Sequence, residues 1–162
     1  MLEIVKVGIA DLNIVKAPQL IRTSGLGSCV GVVLYDEEKK VAGLVHVMLP
    51  DSALAKANML NPAKFADTGI QELLVQLAKN GARRSKLKAK IAGGAQMFQF
   101  ESGRDLIRIG SRNIEAVKQE LRSLEINLIA EDIGGNNGRT IEFNPDDSSL
   151  MIRTVNKSIK YI

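Results

Sequence analysis

The chain has 162 residues, a net charge of +4, 45% hydrophobic residues and 4% aromatic residues. That length fits one domain with a core of its own, so no structural metal is needed, and a single cysteine excludes an internal disulfide. So few aromatics leave no stacking platform for single-stranded nucleic acid. No run approaches the ~18 apolar residues of a membrane span, which predicts a protein without membrane insertion. The N-terminal stretch MLEIVKVGIADLN carries acids among its apolar residues and does not read as a signal peptide. One unpartnered thiol suits a reducing compartment, and the expected location is the cytoplasm.

Taken in chain order, Leu2–Val7 and Leu12–Val15 read as strands, and Leu20–Ser24 leads into the glycine-rich segment Gly25-Leu26-Gly27-Ser28-Cys29. Val30–Asp36 and Val41–Met48 are β-branched runs separated by the polar turn Glu37-Glu38-Lys39-Lys40, which predicts a β-hairpin. Both strands are apolar on both faces and belong inside the fold. A first helix is predicted after Asn61 as cap and Pro62 as first helical residue. Its stripe is Phe65, Ile70, Leu73, Leu74 and Leu77, and Gly81 is its stop. Leu87–Ala92 reads as a strand ending in Gly93-Gly94. A second helix is predicted from Ser111 as cap, with Ile114, Val117, Leu121 and Leu124 at helical spacing. Ile126–Glu131, Thr140–Phe143 and Leu150–Val155 read as strands, the last closing the chain. Residues 1–162 therefore read as one α+β domain with two main helices on mixed β-structure.

The one cysteine and the one histidine, Cys29 and His46, fall on the two arms of the predicted hairpin. An even turn makes the numbers of opposed residues sum to an odd value, so the two side chains share a sheet face. With Glu38-Lys39 at the tip they are diagonal neighbours, about 7–8 Å apart; an odd turn would separate them. An imidazole beside a thiol accepts its proton and favours thiolate, which can attack an amide carbon. Gly25 and Gly27 permit backbone conformations closed to other residues and let a substrate approach the main chain. Backbone N–H groups near Ser28 and Cys29 are candidate oxyanion donors. Thr23 is the candidate to hold the imidazole, through its hydroxyl or its carbonyl; Asp36 and Asp51 are weaker candidates, explained as well by turn positions. A small inert core cysteine and a satisfied core histidine remain the competing reading.

Other chemistry is not signalled. Gly25-x-Gly27 lacks the third glycine of a dinucleotide fingerprint, no phosphate-cradling G-x-x-x-x-G-K-[ST] occurs, and one Cys with one His cannot complete a zinc site. No cofactor and no metal are expected. Lys79, Arg83, Arg84, Lys86, Lys88 and Lys90 lie within twelve residues without one acid. They read either as a solvated helix end and loop or as a docking patch for an acidic partner.

The segments Thr23-Ser24-Gly25-Leu26-Gly27-Ser28-Cys29, Gly43-Leu44-Val45-His46, Phe65-Ala66-Asp67, Gly81-Ala82, Lys90-Ile91-Ala92-Gly93-Gly94-Ala95, Ile109-Gly110-Ser111-Arg112-Asn113 and Asp132-Ile133-Gly134-Gly135-Asn136-Asn137-Gly138-Arg139 span nearly the whole chain. Together they resemble the chemoreceptor glutamine deamidase family, CheD. The resemblance implies a catalytic set at Cys29, His46 and Thr23. It implies deamidation of glutamines on the cytoplasmic helices of chemoreceptors, with hydrolysis of glutamyl methyl esters as a second reaction of the same chemistry. It implies the chemotaxis phosphatase CheC as a regulatory partner where an organism has one. The implied fold is a sandwich of β-sheets with helices, similar to deamidating cysteine-hydrolase toxins. Ala92 departs from the pattern, standing where the family tends to carry a bulkier residue. The alternatives are another cysteine amidohydrolase, or a non-catalytic adaptor that binds receptors or the phosphatase.

Overall fold

The computed structural model describes residues 2–55, 61–97 and 108–162. The strands are β1 (Ile4–Val7), β2 (Leu12–Lys16), β3 (Leu20–Leu26), β4 (Val30–Asp36), β5 (Val41–Val47), β6 (Lys88–Gly93), β7 (Asn127–Ile133), β8 (Arg139–Asn144), β9 (Ser149–Thr154) and β10 (Lys160–Tyr161). The helices are α1 (Ala66–Lys79) and α2 (Ile109–Ser123). The strands form two five-stranded mixed sheets, in the orders β1-β3-β8-β9-β10 and β2-β5-β4-β6-β7, and the fold is α+β.

Alternation along the strands of the second sheet explains the layering. In β4, Val30, Val32 and Leu34 join α1 residues Ile70, Leu73 and Leu77 and α2 residues Val117 and Leu121 in one core. Val33 and Tyr35 point the other way, into a second core with Ile21, Ile141, Phe143 and Ile152 of the first sheet. The second sheet is thus the middle layer, which is why β4 and β5 are buried at every position. Fully burying one such aliphatic side chain contributes roughly 1.5–3 kcal/mol.

Several boundaries differ from those expected. Asn61 and Pro62 open a short 3-10 turn at Pro62–Lys64, with the Asn61 side chain accepting from the Ala63 N–H; α1 begins only at Ala66. Ser111 is not the cap of α2, which starts at Ile109 after Arg108. β3 runs on through Gly25 to Leu26, with a bulge between Thr23 and Leu26. Leu150–Val155 is not the last strand, because Lys160–Tyr161 adds an edge strand beside β9. No helix of the described residues is long and apolar enough to cross a membrane.

The basic segment is not a patch beside the predicted site. Arg83 binds the buried Asp36 carboxylate through Nε and Nη2 and also meets Glu38; Lys88 pairs with Glu37; Arg84 donates to the Leu124 carbonyl. The Arg83 and Lys88 contacts tie the hairpin turn to the start of β6. They lie at the Tyr35 end of β4, about 17 Å along the strand from Val30 at ~3.3 Å per residue. Asp36 is therefore a structural anion, and its Arg83 hydrogen bonds hold its carboxyl well below the usual carboxylate range. Asp51 likewise serves a local turn, accepting from the Ala53 N–H.

Candidate active site

β3 ends in the first sheet and β4 begins in the second, so the glycine-rich segment is the bridge by which the chain crosses the sandwich. Cys29 is the residue before β4 and is half-buried. In the hairpin Gly31 faces His46 and Asp36 faces Val41. The even turn of Glu37–Lys40 therefore puts Cys29 and His46 on one face as diagonal neighbours, and that face looks into the gap between the sheets.

His46 is completely buried. Its Nδ1 lies 2.8 Å from the Thr23 hydroxyl oxygen, and that oxygen also lies 2.8 Å from the Val7 carbonyl. A hydroxyl has one proton, and a carbonyl can only accept. Thr23 therefore donates to Val7 and accepts from Nδ1–H of His46, which leaves the lone pair on Nε2. Nε2 has no hydrogen-bond partner among the described residues, Cys29 included. The structure thus joins Thr23 of the first sheet to His46 of the second through the hydroxyl, and places Cys29 on the face of His46 without a bond to the imidazole.

The bridge itself is fixed by its carbonyls. Gly27 C=O accepts from the Ala95 N–H at 2.8 Å, and Cys29 C=O accepts from the Gly94 N–H at 2.8 Å. Ser28 C=O accepts from Nδ2 of Asn113 at 2.9 Å. The pair of glycines after β6 is required by this packing. Gly93 has φ 114°, and a side chain there would run into the Cys29 carbonyl. Gly110 of α2 packs in turn against the Gly94 and Ala95 carbonyls. In a planar trans peptide C=O and N–H point in opposite directions. The N–H groups of Ser28 and Cys29 consequently face away from Ala95 and α2.

The family description "CheD chemotactic sensory transduction" matches residues 48–154. A chemoreceptor glutamine deamidase CheD of Halalkalibacterium halodurans is 62% identical over 162 residues, covering 100% of both chains. The Bacillus subtilis protein of that name is 56% identical over 159 residues, covering 98% of this chain and 96% of its own. A probable chemoreceptor glutamine deamidase CheD of Lachnoclostridium phytofermentans is 60% identical over 160 residues, covering 99% of each. The chain belongs to the CheD family. The family match begins just after His46, whereas these relatives extend over Cys29 and His46 as well.

Burial sets the charge state of the site in this CheD chain. It pushes the His46 imidazole down to about 4 and pushes the Cys29 thiol up, the latter opposed by the backbone N–H of Cys29 itself. Both groups are therefore neutral at rest near pH 7. For folding, the unfolded imidazole takes a proton near 6.5 and the folded one only near 4. Stability that is fully present above pH 6.5 is thus lost as pH falls toward 4. At about 1.4 kcal/mol per unit the loss is on the order of 3 kcal/mol. Urea unfolding at pH 7 and pH 4.5 checks this against His46→Asn, whose amide can still donate to Thr23. The wild type is expected to lose more stability than the variant, and equal losses would contradict it.

Sequence reasoning did not single out Asn113. A signal was present, since Asn113 falls on the buried stripe Gly110, Ile114, Val117, Leu121 of α2, where a polar residue must have a partner.

Proposed function

We propose that this chain is a chemoreceptor glutamine deamidase, a hydrolase that converts glutamine side chains of chemoreceptors to glutamate with release of ammonia. The observation that carries the chemistry is the hydrogen-bond order Val7–Thr23–His46, which leaves a buried Nε2 lone pair on the face it shares with Cys29. The substrate class rests on the relatives, which carry that name across the full chain length.

Cys29 Sγ attacks the side-chain carbonyl carbon of the glutamine while its proton passes to Nε2 of His46. Because burial holds both groups neutral, the transfer accompanies attack instead of preceding it as a resting ion pair. The tetrahedral oxyanion is held by the N–H groups at Ser28 and Cys29, whose peptides are aimed by the bonds at Gly27 and Ser28. His46 returns the proton to the departing nitrogen, leaving a thioester and ammonia. Water then attacks the thioester with His46 as base, giving glutamate and the free thiol.

Each event places a carboxylate on a receptor helix. Like charges at neighbouring helix positions repel by a few tenths of a kcal/mol per pair, enough for several sites to bias a two-state bundle and serve adaptation. The reaction belongs in the cytoplasm, where the receptor helices lie, and the phosphatase CheC is the proposed regulatory partner. Both of these rest on the family resemblance.

Thr23 tests the orienting role. Thr23→Val removes the hydroxyl but keeps the branched volume, and it takes from Nδ1–H of the buried His46 its one acceptor among the described residues. Turnover is expected to fall about 10- to 100-fold, the range of a lost orienting partner, with Thr23→Ser restoring most of it. Near-wild-type turnover by a folded Thr23→Val protein would reject the hydroxyl's role.

A further inference from the structure

Asn113 lies on α2, in the helical layer, yet both of its amide protons are committed to main chain near the site. Nδ2 donates to the Ser28 carbonyl at 2.9 Å and to the Met48 carbonyl at 2.9 Å. The residue is completely buried, and its Oδ1 has no partner among the described residues. One acceptor precedes Cys29 by a single peptide, and the other lies two residues beyond His46. Both of its donor bonds go to main chain of other elements and neither to its own helix. Its hydrogen-bonding capacity is spent on the segments that carry the nucleophile and the base.

We infer that Asn113 is a positioning residue for the deamidation: by holding the Ser28 carbonyl it turns the Ser28–Cys29 peptide so that its N–H faces the developing oxyanion, and by holding Met48 it ties that peptide to the strand of His46. The inference rests on the Cys29 mechanism proposed above. It makes a distinction that simple structural support does not. An oxyanion donor acts on the tetrahedral transition state and not on ground-state binding. Alkylation of Cys29 by iodoacetamide is a displacement at a saturated carbon and develops no oxyanion, so it feels that N–H only through its smaller, opposing pull on the thiol.

The test compares wild type with Asn113→Ala and Asn113→Leu, each checked for native circular dichroism and melting. The leucine keeps the volume without burying a charge if the alanine fails to fold. For a folded variant, kcat on a chemoreceptor fragment is expected to fall about 100-fold or more, the scale of one lost oxyanion donor. KM should change little, and the iodoacetamide rate at Cys29 should fall far less than kcat, staying within about tenfold of wild type. An unchanged kcat would overturn the role. So would an alkylation rate that falls in step with kcat, which marks general collapse of the loop. Deamidation by a folded Cys29→Ala protein would overturn the underlying mechanism, and is read separately from these outcomes.

Discussion

Cys29→Ala is expected to eliminate deamidation, with turnover down by at least about four orders of magnitude, while the protein keeps its fold. No other thiol exists in the chain to replace it. Losing the nucleophile of a concerted set costs nearly the whole of the chemical acceleration. The structural cost is small, because Cys29 is half-buried in the crossing segment and that segment is held by its carbonyls at Gly27, Ser28 and Cys29, none of which involves the sulfur. Cys29→Ser should be equally inactive, since an alkoxide is far harder to form beside a neutral imidazole. Ammonia release measured on the folded alanine variant checks the point, and wild-type release would remove Cys29 from the chemistry.

His46 carries the second large effect. Removing the base is expected to lower turnover at least about 10³-fold and to slow alkylation of Cys29 near pH 7. The thiol, already pushed up by burial, then has no acceptor for its proton. His46→Asn is the informative variant, because its side-chain amide can take over the bond to the Thr23 hydroxyl while offering no basic nitrogen at the Nε2 position. Alkylation rate followed against pH should shift to higher pH in that variant. An unchanged profile in a folded protein would show that the imidazole does not serve the thiol.

The hairpin pairing was legible because two β-branched runs flank a turn of four charged residues, and the parity of that turn alone fixes which side chains share a face. Thr23 was legible as a neighbour, but the choice between its hydroxyl and its carbonyl needed Val7, a residue of another strand that is paired in parallel with β3. Which strand falls in which sheet was not legible. β2 and β3 are adjacent in sequence and look alike, yet one pairs with β5 and the other with β1 and β8. Nothing local distinguishes strands whose sheet is set by partners far along the chain. The two readings of the basic segment stayed open for a related reason: its counter-charges, Asp36, Glu37 and Glu38, lie some fifty residues earlier and meet it only through the β4–β6 pairing. The cap of α2 was placed at Ser111 on residue type. In the fold, Gly110 packs closely against Gly94 and Ala95, just after β6, and Ser111 lies inside the first turn.

The central claim is that this chain hydrolyses glutamine amides on receptors without cutting the receptor chain. Its most direct test is peptide mass spectrometry of a chemoreceptor cytoplasmic fragment after incubation with the wild-type protein and, in parallel, with Cys29→Ala. A gain of about one dalton at particular glutamines is expected with the wild type only, with ammonia released and the fragment intact, as thioester hydrolysis requires. A fragment that is cleaved, or one whose glutamines are unchanged by the wild type or changed equally by the alanine variant, would contradict it.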